Sequence, residues 1–254
     1  MELESYLQTR LEEKEILLMT HIVLGYPSFD DSFRIIEAMV EAGVDLMELQ
    51  IPFSEPTADG PVIVRANQKA LERGATVKDC LKFTETVTQR FDIPFLIMSY
   101  YNIAFKYGVE QFATDMSKCC IRGAIIPDLP LEEGRAYLDA MHAHNLDPIL
   151  IFSPTTHVDR MRAIAASGSG FIYCVARKGV TGENTDFSEE LTRYLQRCRK
   201  STSLPLALGF GITQKSDIGF LKGKADIAVV GTQTIRIMEQ KGIAAVEDFI
   251  CSLR

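Results

Sequence analysis

The chain has 254 residues, 46% hydrophobic and 24% charged, a composition that excludes disordered and fibrous classes. Its 27 Lys and Arg against 34 Asp and Glu give a net charge of −7, with no block of five or more basic residues, so nucleic acid is not an expected partner. No apolar stretch reaches membrane-spanning length, and the N-terminus lacks the basic region and apolar run of a signal peptide, so a cytoplasmic protein with no membrane association is expected.

Residues 1–15 alternate charged and apolar positions as an amphipathic helix does. A β-branched run at 17–23 reads as the first strand, and Asp30 and Asp31 are placed to cap a helix whose apolar stripe is Phe33, Ile36, Ala38, Met39 and Val40, ended by Gly43. The second strand, 45–51, leads into a long loop and then helices at 62–73 and 77–91. Further strands follow at 94–99, 122–127, 147–152, 170–175, 204–209 and 225–230. Helical spacing recurs between and after them at 109–117, 131–144, 157–167, 187–199, 214–221, 232–240 and 244–252.

Eight strands alternating with helices, with no Pro/Ser-rich linker or compositional step, favour an α/β fold made of a single (β/α)8 TIM barrel over residues 1–254. An open doubly wound sheet usually has fewer parallel strands. The extra N-terminal helix is expected to cover the barrel bottom.

In such a barrel, functional residues collect where strands end and βα loops begin. The most unusual stretch lies there: Glu48-Leu49-Gln50-Ile51-Pro52-Phe53-Ser54-Glu55-Pro56-Thr57-Ala58-Asp59-Gly60-Pro61, a loop with carboxylates at both ends. Strand alternation puts Leu46, Glu48 and Gln50 on one face and Met47, Leu49 and Ile51 on the other, so Glu48 is expected to point into the barrel mouth. A desolvated carboxylate there suits proton transfer. Asp59 stands in Ala-Asp-Gly-Pro, which is equally good turn chemistry.

Glycines cluster after the sixth, seventh and eighth strands, in Arg177-Lys178-Gly179-Val180-Thr181-Gly182, Gly209-Phe210-Gly211 and Gly231-Thr232. Backbone N–H groups exposed by such loops, and at the start of the following helix, hold oxyanions, so a phosphate-bearing small molecule is the expected ligand. For Tyr100, Tyr101, Asn102, Asp128 and Tyr173, pocket lining and loop hydrogen bonding both fit. The six cysteines have no paired CxxC spacing and read as reduced, buried thiols. His142 and His144 face different directions on one helix, and His21 and His157 are isolated, so no metal is expected.

These residues together resemble the tryptophan synthase α subunit family over nearly the whole chain. Its approximate pattern, E-L-G-x-P-F-S-D-P-x-A-D-G-P, is matched by the segment Glu48–Pro61. Supporting matches are Leu24-Gly25-Tyr26-Pro27-Ser28, Tyr100-Tyr101-Asn102, Pro127-Asp128-Leu129-Pro130, Arg177 to Gly182 and Gly209-Phe210-Gly211-Ile212. The resemblance implies retro-aldol cleavage of indole-3-glycerol phosphate to indole and glyceraldehyde 3-phosphate. In it, Glu48 is the acid/base and Asp59 the carboxylate that receives the indole N–H.

It further implies phosphate contacts at Gly182, Gly211, Gly231 and Thr232, and an indole pocket lined by Met98, Tyr100, Tyr173 and Phe210. A lid loop would run from Ala176 to about Phe187 and carry Arg177 and Thr181. No cofactor is implied in this chain. The implied partner is a pyridoxal-phosphate (PLP) dependent β subunit in an αββα heterotetramer, met through Pro52, Phe53, Glu55 and Pro56.

The chain departs from the family pattern at four places: Gln50 for glycine, Glu55 for aspartate, Thr57 for leucine and Ala176 for serine. Gln50 shares a face with Glu48 about 6–7 Å along the strand, so it is expected to intrude on the substrate or to hydrogen-bond the acid. The alternative this raises is a catalytically weakened subunit that acts mainly as an allosteric activator of the β subunit.

Overall fold

The computed structural model describes residues 2–175, 189–209 and 211–254. Eight parallel strands, β1 (Leu17–Val23), β2 (Leu46–Gln50), β3 (Phe95–Met98), β4 (Gly123–Ile125), β5 (Asp147–Phe152), β6 (Ile172–Val175), β7 (Leu206–Gly209) and β8 (Ile227–Val230), pair in sequence order and close through β1 and β8. All eight expected strands are present. Their nearly continuous burial explains why they read as apolar runs: one face packs on helices and the other fills the barrel.

The two faces separate cleanly along β2. Met47 and Leu49, with Ile51 just beyond the strand, belong to the layer between sheet and helices, whereas Leu46 belongs to the barrel interior with Leu17, Met19, Leu96, Ile149, Phe171 and Ile227. Helix α1 (Leu3–Glu13) adds Leu3 and Leu7 to this interior cluster, both essentially fully buried, and so closes the bottom of the barrel. Each such leucine contributes about 1.5–3 kcal/mol relative to exposure. Asp45, buried just before β2, fastens the same end by accepting hydrogen bonds from Arg10, Lys14 and the Leu18 N–H.

Helix α2 (Phe29–Glu41) follows β1, and its N-cap is Ser28, not Asp30 or Asp31. The Ser28 hydroxyl accepts from the Asp31 N–H at 3.0 Å, and the Asp31 carboxylate in turn accepts from that hydroxyl at 2.7 Å. Gly43 ends the turn at φ +83° as expected. Helices α3 (Pro61–Glu72) and α4 (Val77–Arg90) separate β2 from β3. A short helix that the sequence reading omits, α5 (Tyr101–Tyr107), then precedes α6 (Val109–Lys118).

The helix expected at 131–144 is divided: Leu131–Glu133 forms a 3₁₀ turn, and α7 (Arg135–Ala143) begins only after Gly134. The remaining helices are α8 (Val158–Ser167), α9 (Glu189–Ser201), α10 (Lys215–Leu221), α11 (Thr232–Lys241) and α12 (Ala244–Ser252). All six cysteines are free thiols. Four are buried as expected, whereas Cys120 and Cys251 are exposed.

Candidate active site

The inward series along the strands runs from apolar at the bottom to polar at the top. On β1 it is Leu17, Met19, His21, and on β2 it is Leu46, Glu48, Gln50. At the C-terminal ends of β1 and β2, His21 and Glu48 open on a cavity of about 240 Å³ whose lining also includes Asp59, Met98, Tyr173, Gly211, Gly231 and Thr232. The position is the one that barrel architecture assigns to chemistry.

Glu48 is 3% exposed and lies beside His21, its register partner on β1. Nδ1 of His21 is 3.2 Å from Glu48 Oε1, and the Tyr173 hydroxyl donates to the same oxygen at 3.5 Å. Burial works against the His21 imidazolium, but the Glu48 hydrogen bond and charge and the charge of Asp59 outweigh it and raise its proton affinity above the ordinary value. Burial and the neighbouring Glu48 and Asp59 charges hold the Tyr173 phenol protonated far above its usual range, so it serves as a donor.

Asp59 closes the loop after β2 and is 6% exposed. Its Oδ2 accepts from Gln50 Nε2 at 2.7 Å and from the Tyr100 hydroxyl at 3.0 Å, leaving Oδ1 for a ligand. Burial raises the proton affinity of this carboxyl, while the His21 charge and the Gln50 and Tyr100 hydrogen bonds oppose that rise. The loop itself is pinned twice: the Ala58 N–H donates to the Tyr100 hydroxyl, and the Phe53 N–H donates to Asn67 on α3. Asp59 is therefore more than a turn former.

The part of the cavity formed beyond β7 and β8 suits an anion. Gly231, Thr232 and Gln233 line it where α11 begins, so unpaired N–H groups and the positive end of the helix dipole meet there. Gly211, at φ +93°, and Thr213 add the loop after β7, and Arg236 brings a guanidinium from the first turns of α11. Gly209 has a different task from the one its motif suggests. A Cβ there would lie 2.4 Å from the Tyr173 ring, so the glycine makes room for that tyrosine.

The structure thus gathers Glu48, Asp59, Met98, Tyr173, Gly211, Gly231 and Thr232 around one cavity. Tyr100, expected in the indole pocket, does not line it: the ring is fully buried behind Asp59 and stacks on Phe53 at 5.1 Å. Gln50 is also absent from the lining, and its amide turns to Asp59 instead of reaching Glu48 or the cavity. Asp128 caps α5 by accepting the Tyr101 N–H at 2.8 Å. Of the expected partner-facing residues, Pro52 and Pro56 are buried within the chain, Phe53 is half-buried and Glu55 is exposed. Ala176, Arg177, Thr181, Gly182 and Phe210 lie outside the described residues.

Sequence reasoning passes over His21, Gln233 and Arg236. Arg236 is legible only once α11 is known to start at the cavity, and His21 is not isolated as its lack of sequence neighbours suggests. Among the described residues no group of three or more His, Cys, Asp or Glu side chains is placed to hold a metal, and no helix is long and apolar enough to cross a membrane.

The family model described as Tryptophan synthase alpha chain matches residues 7–251. The chain is 61% identical to the tryptophan synthase alpha chain of Syntrophotalea carbinolica, over 99% of this chain and 100% of that one. It is also 61% identical to the one of Desulforapulum autotrophicum, over 99% of each. A structure of Mycobacterium tuberculosis tryptophan synthase superposes with a TM-score of 0.93 at 28% identity, covering 99% of this chain and 96% of that one.

Proposed function

Because the chain belongs to the tryptophan synthase alpha chain family, which catalyses the cleavage of indole-3-glycerol phosphate, we propose that this reaction runs in the cavity at the barrel mouth, with Glu48 as proton donor and acceptor and Asp59 as the carboxylate that receives the indole N–H. One observation carries the reading: a single cavity is lined by two buried carboxylates, Glu48 and Asp59, and also by a helix start, the glycines after β7 and β8 and Arg236. The substrate has the matching polarity, a ring that must be protonated at one end and a phosphate at the other.

Glu48 gives a proton to ring carbon C3, and Asp59 stabilises the positive charge that develops at the ring nitrogen. The hydroxyl on the adjacent glycerol carbon returns a proton to Glu48. Its O–H electron pair becomes the carbonyl of glyceraldehyde 3-phosphate, and the electrons of the breaking C–C bond restore indole. No net proton is consumed. Met98 and Tyr173 flank the ring, while Gly211, Gly231, Thr232 and Arg236 hold the phosphate, joined by Gly182; Phe210 completes the indole pocket, and Arg177 and Thr181 act in the lid.

The family works with a β-subunit partner. The arrangement proposed here is an αββα assembly with PLP in the β subunit, no cofactor in this chain and residues 1–254 acting as one cytoplasmic domain. Phe53 and Glu55 offer the partner a surface. Pro52 and Pro56 shape that loop from inside. A subunit weakened by Gln50 is the less favoured reading, because Gln50 supports Asp59 and stays out of the cavity lining, and Glu55 and Thr57 are exposed.

The test is indole release from indole-3-glycerol phosphate by the full chain, with Glu48→Gln beside it. The chain contains no tryptophan, so indole fluorescence reports only substrate and product. Glu48→Gln is expected to lose about 10²–10⁴ in rate, the usual worth of a general acid–base. Undiminished release would remove Glu48 from the mechanism.

A further inference from the structure

We infer that His21 is a positioning residue for the cleavage reaction: it forms a proton-sharing pair with Glu48, so that the two side chains together store the proton that Glu48 delivers to the ring. The inference rests on Glu48 being the acid/base. The geometry is specific. His21 and Glu48 face each other across the β1–β2 register, each is 3% exposed, and Nδ1 lies 3.2 Å from Oε1.

The other ring nitrogen, Nε2, is buried with no hydrogen-bond partner. Leaving a buried polar atom unsatisfied costs about 1–3 kcal/mol, which a purely packing role would avoid with an apolar ring. The contact of Nδ1 with Glu48 is thus the one hydrogen bond that the imidazole makes within ordinary geometry. The residue also sits under the phosphate side, since a Cβ built on Gly231 would approach the His21 Cβ at 3.3 Å.

The proton count explains the use of such a pair. Glu48 must hold a proton before C3 is protonated and must be a carboxylate immediately afterwards. Imidazolium beside carboxylate and imidazole beside carboxylic acid contain the same single proton. The pair releases it to C3, becomes neutral imidazole with carboxylate, and is recharged by the proton of the glycerol hydroxyl.

The charged and titratable groups around His21 are Glu48 on β2, Asp59 in the loop after it, Tyr173 on β6 and Arg236 on α11. The first two favour the imidazolium. Gln50 adds a smaller favourable interaction, although its Oε1 has no partner within hydrogen-bond geometry.

The experiment is the pH–rate profile of indole release by the full chain, comparing wild type with His21→Asn, His21→Phe and Glu48→Gln. Asparagine keeps a donor for Glu48 but cannot carry the proton, and a lone carboxylic acid loses its proton at lower pH than an imidazolium. The alkaline fall in kcat should move at least one pH unit lower in His21→Asn, a loss of about ten-fold or more on that limb, while KM changes less than two-fold. His21→Phe should show the same displacement. A loss equal at every pH, or no displacement in either variant, would overturn the pair.

A second readout does not depend on turnover. Wild type has four histidines, so the His21 imidazole can be followed by ¹⁵N NMR. Its titration should fall to lower pH in Glu48→Gln, and an unchanged titration would also overturn the inference. Full cleavage by Glu48→Gln would instead defeat the acid/base assignment of Glu48, whatever the NMR shows.

Discussion

Gln50 Nε2 donates to Asp59 Oδ2 at 2.7 Å, and both side chains are buried. The residue that departs most from the family pattern is thereby a support for one of the two carboxylates at the site. Inward alternation along β2 brings the amide beside the loop that carries Asp59, and a glycine could make no such bond. The chain has added a donor to the carboxylate proposed to receive the indole N–H.

Replacing Gln50 by Met keeps the volume and deletes the donor. A hydrogen bond to a charged group is worth about 1.5–3 kcal/mol, so kcat/KM for indole release should fall by about 10- to 100-fold. Gln50→Gly should fall as well. A gain of activity in Gln50→Gly would show that the side chain obstructs the substrate after all.

Tyr100→Phe removes the second donor to Asp59 and the acceptor of the Ala58 N–H together. The expected loss is about ten-fold in kcat/KM, with a small drop in stability from the unpaired N–H. Combined with Gln50→Met the effects should not add, because both act on Oδ2 of one carboxylate. Strict additivity in the double-mutant cycle would show that the two bonds act independently.

The strands were legible because burial on both faces makes them short apolar runs between turn residues, and Glu48 was legible because β alternation is regular. The helix at Tyr101–Tyr107 is not legible in the sequence because seven residues are too few to show a 3.6-residue period. His21 is hidden for a different reason: its partner is 27 residues away and becomes a neighbour only through the parallel register of β1 and β2. For Tyr100 the position after β3 leaves pocket lining and loop hydrogen bonding both open, and the family resemblance alone implies the pocket; whether a side chain lines a wall or stands behind it depends on packing that alternation does not specify.

Burial raises the proton affinity of Asp59 in the folded chain above that of an ordinary carboxyl. Its contribution to stability is therefore present below about pH 3.9, the usual carboxylate value, and is lost as pH rises through the higher folded value. Ionising this carboxyl thus costs more in the folded chain than in the unfolded one. Asp59→Asn should accordingly raise Tm at pH 7–8, by about 2–4 °C for each kcal/mol relieved, and the difference should shrink as pH falls toward 4. The same variant should lose indole release. A lower Tm at every pH would mean that the Asp59 hydrogen bonds outweigh its desolvation.

Gly209→Ala tests whether Tyr173 is held where the Glu48 contact needs it. A Cβ at position 209 would sit 2.4 Å from the tyrosine Cε1 and 2.7 Å from its hydroxyl, and the ring, 7% exposed, has little space to retreat. Overpacking of this kind costs about 1–3 kcal/mol. Because the hydroxyl on this ring donates to Glu48 at 3.5 Å, its displacement should also lower indole release. Shortening Tyr173 to Leu removes the clash, so Gly209→Ala should cost at least about 1 kcal/mol less in a Tyr173→Leu background than in wild type. An equal cost in both backgrounds would place the constraint in the β7 backbone and leave Tyr173 without need of the glycine.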